Sequence, residues 1–304
     1  MASLNVNNTH TRLKLMRGFS KLAGKTFLAT LLFILFITVN SFAGDEKKGT
    51  SGGGDKNFPS LLSNSSSAPV IKRLSDSIYD LISLGEYGLE KDVFFNAYKG
   101  FQFLQSKGLL KKTNLLTICD YSQSSRNKRL YVIDVVNSRL LFNTYVSHGR
   151  NSGEEFATSF SNLFNSNKSS LGFLVTGRPY KGKAGYSLQL NGMEPGINDR
   201  VKMRSIVLHG SKFVSASVSG ARGAISRSYG CPAVPYGIHL RIIDAIKGGS
   251  CVFVSYPDDW YTHISAVLNA GFDLDPSYPN INATLQNSTD ANTDAGSVSS
   301  VLMK

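Results

Sequence analysis

Cys231 lies in the stretch Ser226-Arg227-Ser228-Tyr229-Gly230-Cys231-Pro232, and His209 closes the apolar run Ile206-Val207-Leu208 just before Gly210. A thiol in a glycine-flanked turn, together with a histidine at a strand end, is the pattern of a cysteine nucleophile and its general base. Thiol attack near neutral pH needs the thiolate, so a base or a positive charge must draw the proton away. His209 is the natural partner; Arg222 and Arg227 add positive potential nearby in sequence, and either equally suits a substrate carboxylate. Pro232 constrains the mechanism, because it has no N–H and cannot donate to a developing oxyanion. The donors then have to be the backbone N–H groups of Tyr229, Gly230 and Cys231. A tight turn around a small, inert thiol remains the alternative at this point.

His148 repeats the context of His209, ending Tyr145-Val146-Ser147 before Gly149. A histidine at the last position of a strand is held by the sheet yet displayed at its rim, where scaffolds present functional groups. A loop-capping histidine is the alternative for each. His239 and His263 read as packing or surface residues, and Cys119 and Cys251 as core cysteines. Three cysteines are too few for a disulfide framework and leave at least one thiol free. A zinc site built from His148, His209 and Cys231 is disfavoured, since no pair has helical or knuckle spacing and no Glu stands beside either histidine. Neither a metal nor a cofactor is expected.

These residues need a scaffold, and the hydrophobic pattern supplies one. Ile71, Leu74, Ile78, Leu81 and Ile82 recur at helical spacing after Pro69, and Val93, Phe94, Ala97, Tyr98, Phe101 and Leu104 do so up to Gly108. Short β-rich runs follow at 115–118, 130–136, 140–146, 171–176, 206–208 and 252–256, with a hairpin around Asn137-Ser138. One late helix is expected over 238–247, where Ile238, Ile242 and Ile246 share a face. The expected class is mainly β (α+β), with a helical lead-in over 69–110 and a β-rich part over 115–257. The segment 258–304 reads as an extension, disordered from about 275.

The first 25 residues contain Arg12, Lys14, Arg17, Lys21 and Lys25 and no acid; the charge-free run Phe27 to Val39 and then Ser41-Phe42-Ala43-Gly44 follow. That is a basic n-region, an h-region and an A-x-A-like site, so residues 1–43 read as an export signal. An uncleaved anchor, tethering the chain to the inner membrane through residues 27–39, is the alternative, although the run falls short of the ~20 residues that span hydrocarbon comfortably. Residues 44–68 read as a flexible linker. The expected location is the periplasm or cell envelope. The formal net charge of +12 is concentrated partly in the n-region, and the moderate remainder suits an acidic wall polymer. No basic-aromatic stripe points to nucleic acid.

His209, a spacer, and then Ser228-Tyr229-Gly230-Cys231 resemble the signature of the YkuD-type L,D-transpeptidases, a histidine followed by Ser/Thr-His-Gly-Cys. The runs Arg129 to Asp134, His148 to Gly153, Phe160 to Asn162, Ser169 to Gly172 and Arg227 to Pro235 resemble the murein L,D-transpeptidase catalytic-domain subgroup. The resemblance implies a β-sandwich-like catalytic fold, with Cys231 as nucleophile and His209 as base, the base being oriented by a backbone carbonyl. It implies a donor groove lined by Ser170 and Gly172, with His148, Arg227 and Ser228 as further substrate-binding residues. The implied activity is 3→3 cross-linking of peptidoglycan stem peptides through a thioester. L,D-carboxypeptidase trimming at the same site is one alternative, and a non-enzymatic wall-binding module another. No obligate protein partner is inferred. Two departures stand out: Tyr229 replaces the usual histidine, and the spacer is slightly longer than the common range.

Overall fold

The computed structural model describes residues 67–274. The signal or anchor expected over 1–43, linker residues 44–66 and the tail from 275 lie outside the described residues. Among the described residues, no helix is long and apolar enough to cross a membrane.

Helix α1 (Ala68–Ile82) starts with Pro69 in its first turn and buries Ile71, Leu74 and Ile78. It ends at Ser83, whose left-handed backbone lets its N–H reach the Asp80 and Tyr79 carbonyls. A short 3-10 turn (Leu84–Tyr87) leads to α2 (Lys91–Ser106), which buries Phe94, Ala97, Tyr98, Phe101 and Leu104 on one face. That face packs against β1 (Leu115–Asp120) and the late strand β8 (Cys251–Ser255). Both strands, and β2 (Leu130–Asp134), are buried at every position. Strands covered on both faces have no polar side to alternate, which explains their unbroken apolar runs.

The remaining strands are β3 (Arg139–Thr144), β4 (Gly172–Gly182), β5 (Gly185–Gly192), β6 (Val207–Ser211) and β7 (Ala233–Pro235). All eight form one sheet in the order β3-β2-β1-β8-β4-β5-β6-β7. Pairing is antiparallel except for β1–β8 and β6–β7, which are parallel. Its two outer strands are brought together: Ser147, just past β3, bridges Ala233 of β7, and Gly149 bridges Ser228. The sheet therefore curls nearly into a barrel, mainly β with few helices, as the class read from sequence requires.

Between β6 and β7 the chain crosses over through α3 (Ala216–Arg222), capped by Ser215, whose side chain accepts from the Val218 N–H. Helix α4 (His239–Ile246) is the expected late helix and buries Ile242, Ile243 and Ile246. Beyond β8, α5 (Asp259–Ile264) and the following turn return to the core through Tyr261, Val267, Leu268 and Phe272. Phe272 meets Phe103 of α2 edge-on.

Candidate active site

The parallel pair β6–β7 aligns His209 with Ala233 and brings the two sequence-distant motifs together. The His209 N–H donates to the Pro232 carbonyl at 3.3 Å. Cys231, two residues ahead of Ala233, then lies beside the start of β6, where the Val207 N–H points at its Sγ at 3.5 Å. The Ser205 carbonyl is 3.8 Å from the same sulfur. Cys231 and His209 line one open cavity of about 860 Å³, with Val207, Tyr180, Lys183 and Phe213 among its walls.

His209 Nδ1 is 3.0 Å from the Gly210 carbonyl. A carbonyl only accepts, so Nδ1 carries a proton and Nε2 is the nitrogen left for base chemistry. Burial pushes the Cys231 thiol up from its ordinary value, and this outweighs the Val207 N–H and the Arg204 charge, which act the other way. A thiol and an imidazole that line one cavity are the components from which a thiolate can be generated by proton transfer.

The nucleophile turn is built by Ser228. Its Oγ accepts from the Gly230 N–H at 3.0 Å and donates to the Cys231 carbonyl at 2.6 Å. The Ser228 N–H in turn donates to the His148 carbonyl at 2.9 Å. Gly230 has φ +116°, and a Cβ there would fall 2.7 Å from the Lys168 carbonyl oxygen. Only glycine fits this turn without strain. The Gly230 amide is taken by Ser228, whereas those of Tyr229 and Cys231 carry no hydrogen bond among the described residues.

Three expected substrate contacts also move. His148 is buried; Arg129 Nη2 approaches its Nδ1 at 2.7 Å, and its Nε2 lies 3.2 Å from the Gly153 carbonyl. With both ring nitrogens engaged it braces the rim. Burial and then Arg129 push its imidazole down to about 4. Ser170 is buried behind the cavity, donating to the Ser161 carbonyl and receiving Arg204 Nη1 at 2.6 Å. Gly172, at φ +93°, faces Glu194 and Asn198 on the far side, so neither residue lines the thiol's cavity. The family resemblance implied a donor groove at these two residues; among the described residues the thiol's cavity is lined by others.

Arg227 does line the cavity, and it is also anchored, pairing with Glu154 and donating to the Arg150 and Gly153 carbonyls at 3.2 Å each. Tyr229 is exposed, with the Arg150 guanidinium 4.6 Å from its ring centre. Behind Arg227 to Tyr229 lies a second, polar cavity of about 620 Å³ whose lining includes Arg126, Arg150, Glu154 and Glu155. His239 packs beneath Gly210, and His263 is exposed on α5. Sequence reasoning missed Val207, Ser205 and Arg204. Only the short helical turns ahead of β6 could have hinted at them. Among the described residues, no group of three or more His, Cys, Asp and Glu is placed to hold a metal ion.

The thiol just ahead of β7 and the histidine on β6 thus line one cavity beside the strand at which the curled sheet closes. The L,D-transpeptidase catalytic domain family matches residues 86–255, more than half of the chain, and the chain belongs to that family. Among solved structures it is similar to L,D-transpeptidase 1 of Mycobacterium tuberculosis, at 11% identity over 47% of this chain and 62% of that one, TM-score 0.27. It is similar to the helical cell shape determining protein Pgp2 of Campylobacter jejuni at 13% identity, over 56% of this chain and 59% of that one, TM-score 0.33. For an L,D-transpeptidase from Xylanimonas cellulosilytica the values are 14% identity, 62% and 94% coverage and TM-score 0.27. The chain spans about three fifths of the length of the mycobacterial structures it matches. No curated protein matches it.

Proposed function

We propose that this protein is an exported murein L,D-transpeptidase that forms 3→3 peptidoglycan cross-links through a thioester on Cys231. The observation that carries the reading is the cavity shared by Cys231 Sγ and His209, whose Nδ1 is bonded to the Gly210 carbonyl and whose Nε2 is left as the base. His209 Nε2 takes the thiol proton, and the thiolate attacks the carbonyl of the L-centre of the diaminoacyl residue in a donor stem. The Tyr229 and Cys231 amides receive the oxyanion. As the tetrahedral intermediate collapses, the C–N bond breaks, and D-alanine leaves with the proton from His209. The side-chain amine of an acceptor stem then attacks the thioester and passes its proton to His209. The C–S bond breaks, and the thiol is restored.

Incubating the full chain with a tetrapeptide stem or a carbapenem and weighing the protein tests this reading. A covalent adduct on Cys231 that is absent in Cys231→Ala is the expected result. Turnover without any thiol adduct, lost on adding chelator, would sink it. With a stem and an amine acceptor the product is a cross-linked dimer; a tripeptide alone identifies an L,D-carboxypeptidase. Neither adduct nor turnover would leave a wall-binding module.

A further inference from the structure

The guanidinium of Arg204 is half-buried and makes four hydrogen bonds, all to uncharged oxygens. Nη1 donates to the Ser161 carbonyl and Ser170 Oγ, each at 2.6 Å; Nη2 donates to Ser166 Oγ at 3.1 Å and the Lys168 carbonyl at 2.7 Å. No carboxylate pairs with it among the described residues. A half-buried guanidinium without a counter-charge favours an anion that forms nearby.

The surroundings of Cys231 point to that anion. The residues that follow Arg204 form the cradle of the thiol, Ser205 through its carbonyl and Val207 through its N–H. The Lys168 carbonyl that Arg204 holds is the atom against which Gly230 packs. The same guanidinium therefore lies behind the nucleophile turn and clamps its floor. Burial lowers the tendency of Arg204 to stay charged, and ionised Cys231 is the group that raises it.

We propose that Arg204 is a positioning residue whose fixed positive charge holds the Cys231 thiolate, both when His209 removes the thiol proton and when the thiolate leaves the thioester. The inference rests on Cys231 being the nucleophile. Arg204 stays protonated throughout, and the protons move as set out above. Arg204 does not line the thiol's cavity; the titratable and charged groups that do are His209 on β6, Tyr180 and Lys183 from the β4–β5 hairpin, and Arg227 and Tyr229 on the thiol's own turn. Of these, Arg227 is engaged by Glu154 and two carbonyls away from the thiol. Arg204 is held by four oxygens.

The test is the pH dependence of Cys231 alkylation by iodoacetamide in the full chain, with Cys231→Ala as blank. Cys119 and Cys251 are fully buried and burial pushes both thiols up, Cys119 to about 12, so they contribute little. Arg204→Gln should slow alkylation at pH 7 about tenfold and move the profile to higher pH, as expected for losing an opposite charge. Arg204→Met, which keeps the buried stem, serves if the Gln variant does not fold. Arg204→Lys, which keeps the charge but loses the fork, should follow the wild-type profile within about twofold. A folded Gln or Met variant with an unmoved profile overturns the proposal. So does a Lys variant displaced as far as the uncharged ones, which would make Arg204 a clamp alone. Alkylation needs no peptidoglycan, so failure of the acyl-transfer reading shows separately, as a normal thiol profile without any stem adduct.

Discussion

Replacing Gly230 by alanine strikes the nucleophile turn through geometry alone. The residue has φ +116°, a conformation that L side chains rarely adopt, and forcing one there costs about 1–3 kcal/mol. The added Cβ would also lie 2.7 Å from the Lys168 carbonyl oxygen and 3.0 Å from Ile206 Cδ1. The Ile206 methyl can give way, but the carbonyl is backbone and is held at 2.7 Å by Arg204, so a further ~1–3 kcal/mol of overpacking follows. Together these predict a loss of about 4 kcal/mol, large against the ~5–15 kcal/mol typical of a domain. Urea unfolding followed by circular dichroism reads the change. Gly237→Ala is the control: its Cβ meets nothing within 4 Å, and it should stay within about 0.5 kcal/mol of wild type. A Gly230→Ala loss below about 1 kcal/mol would refute the reasoning, because strain and contact would then both be absent.

Further outcomes follow from the same geometry. His148 has its imidazole pushed down to about 4 by burial and then by Arg129, against about 6.5 in the unfolded chain. Between those values the unfolded state binds more protons, so this contribution is full above about pH 6.5 and is lost as pH falls toward 4. It amounts to about 3 kcal/mol. As pH drops from 7.5 to 4, urea midpoints should fall more steeply in wild type than in His148→Gln, and parallel curves would contradict the assignment. Ser228→Ala unpairs the Gly230 N–H and the Cys231 carbonyl, and should cost about 1–2 kcal/mol and slow acylation by a carbapenem about tenfold. His209→Ala should slow the same acylation by ~10²–10⁴ with the fold intact, measured by stopped-flow. Arg129→Met strips the Gln123 and Val146 carbonyls of a buried partner and should cost about 2–4 kcal/mol in the urea assay.

The lead-in helices, the buried strands and the late helix were legible because each repeats one period over enough residues to bury a face. Strand β5 was not read, although Tyr186, Leu188 and Leu190 alternate, because glycines bound the run and its partners lie on either side in space. Strand β7 has three residues, the last of them Pro235, with Pro232 just before; it is a strand only because β6 runs alongside. Helix α3, with the sequence ASVSGAR, has no apolar stripe to find.

The sequence by itself determined the chemical types: a thiol in a glycine turn, a histidine at a strand end, and a proline that removes any oxyanion donor on its own side. Those properties are carried by covalent neighbours and need no fold to exist. Tertiary structure decided which of the turn's amides stay free, that His148 is a brace for the rim, and that Arg204 lies behind the thiol. Each of those outcomes depends on which distant oxygen, ring or guanidinium the curled sheet brings within about 3 Å, the distance at which a hydrogen bond forms.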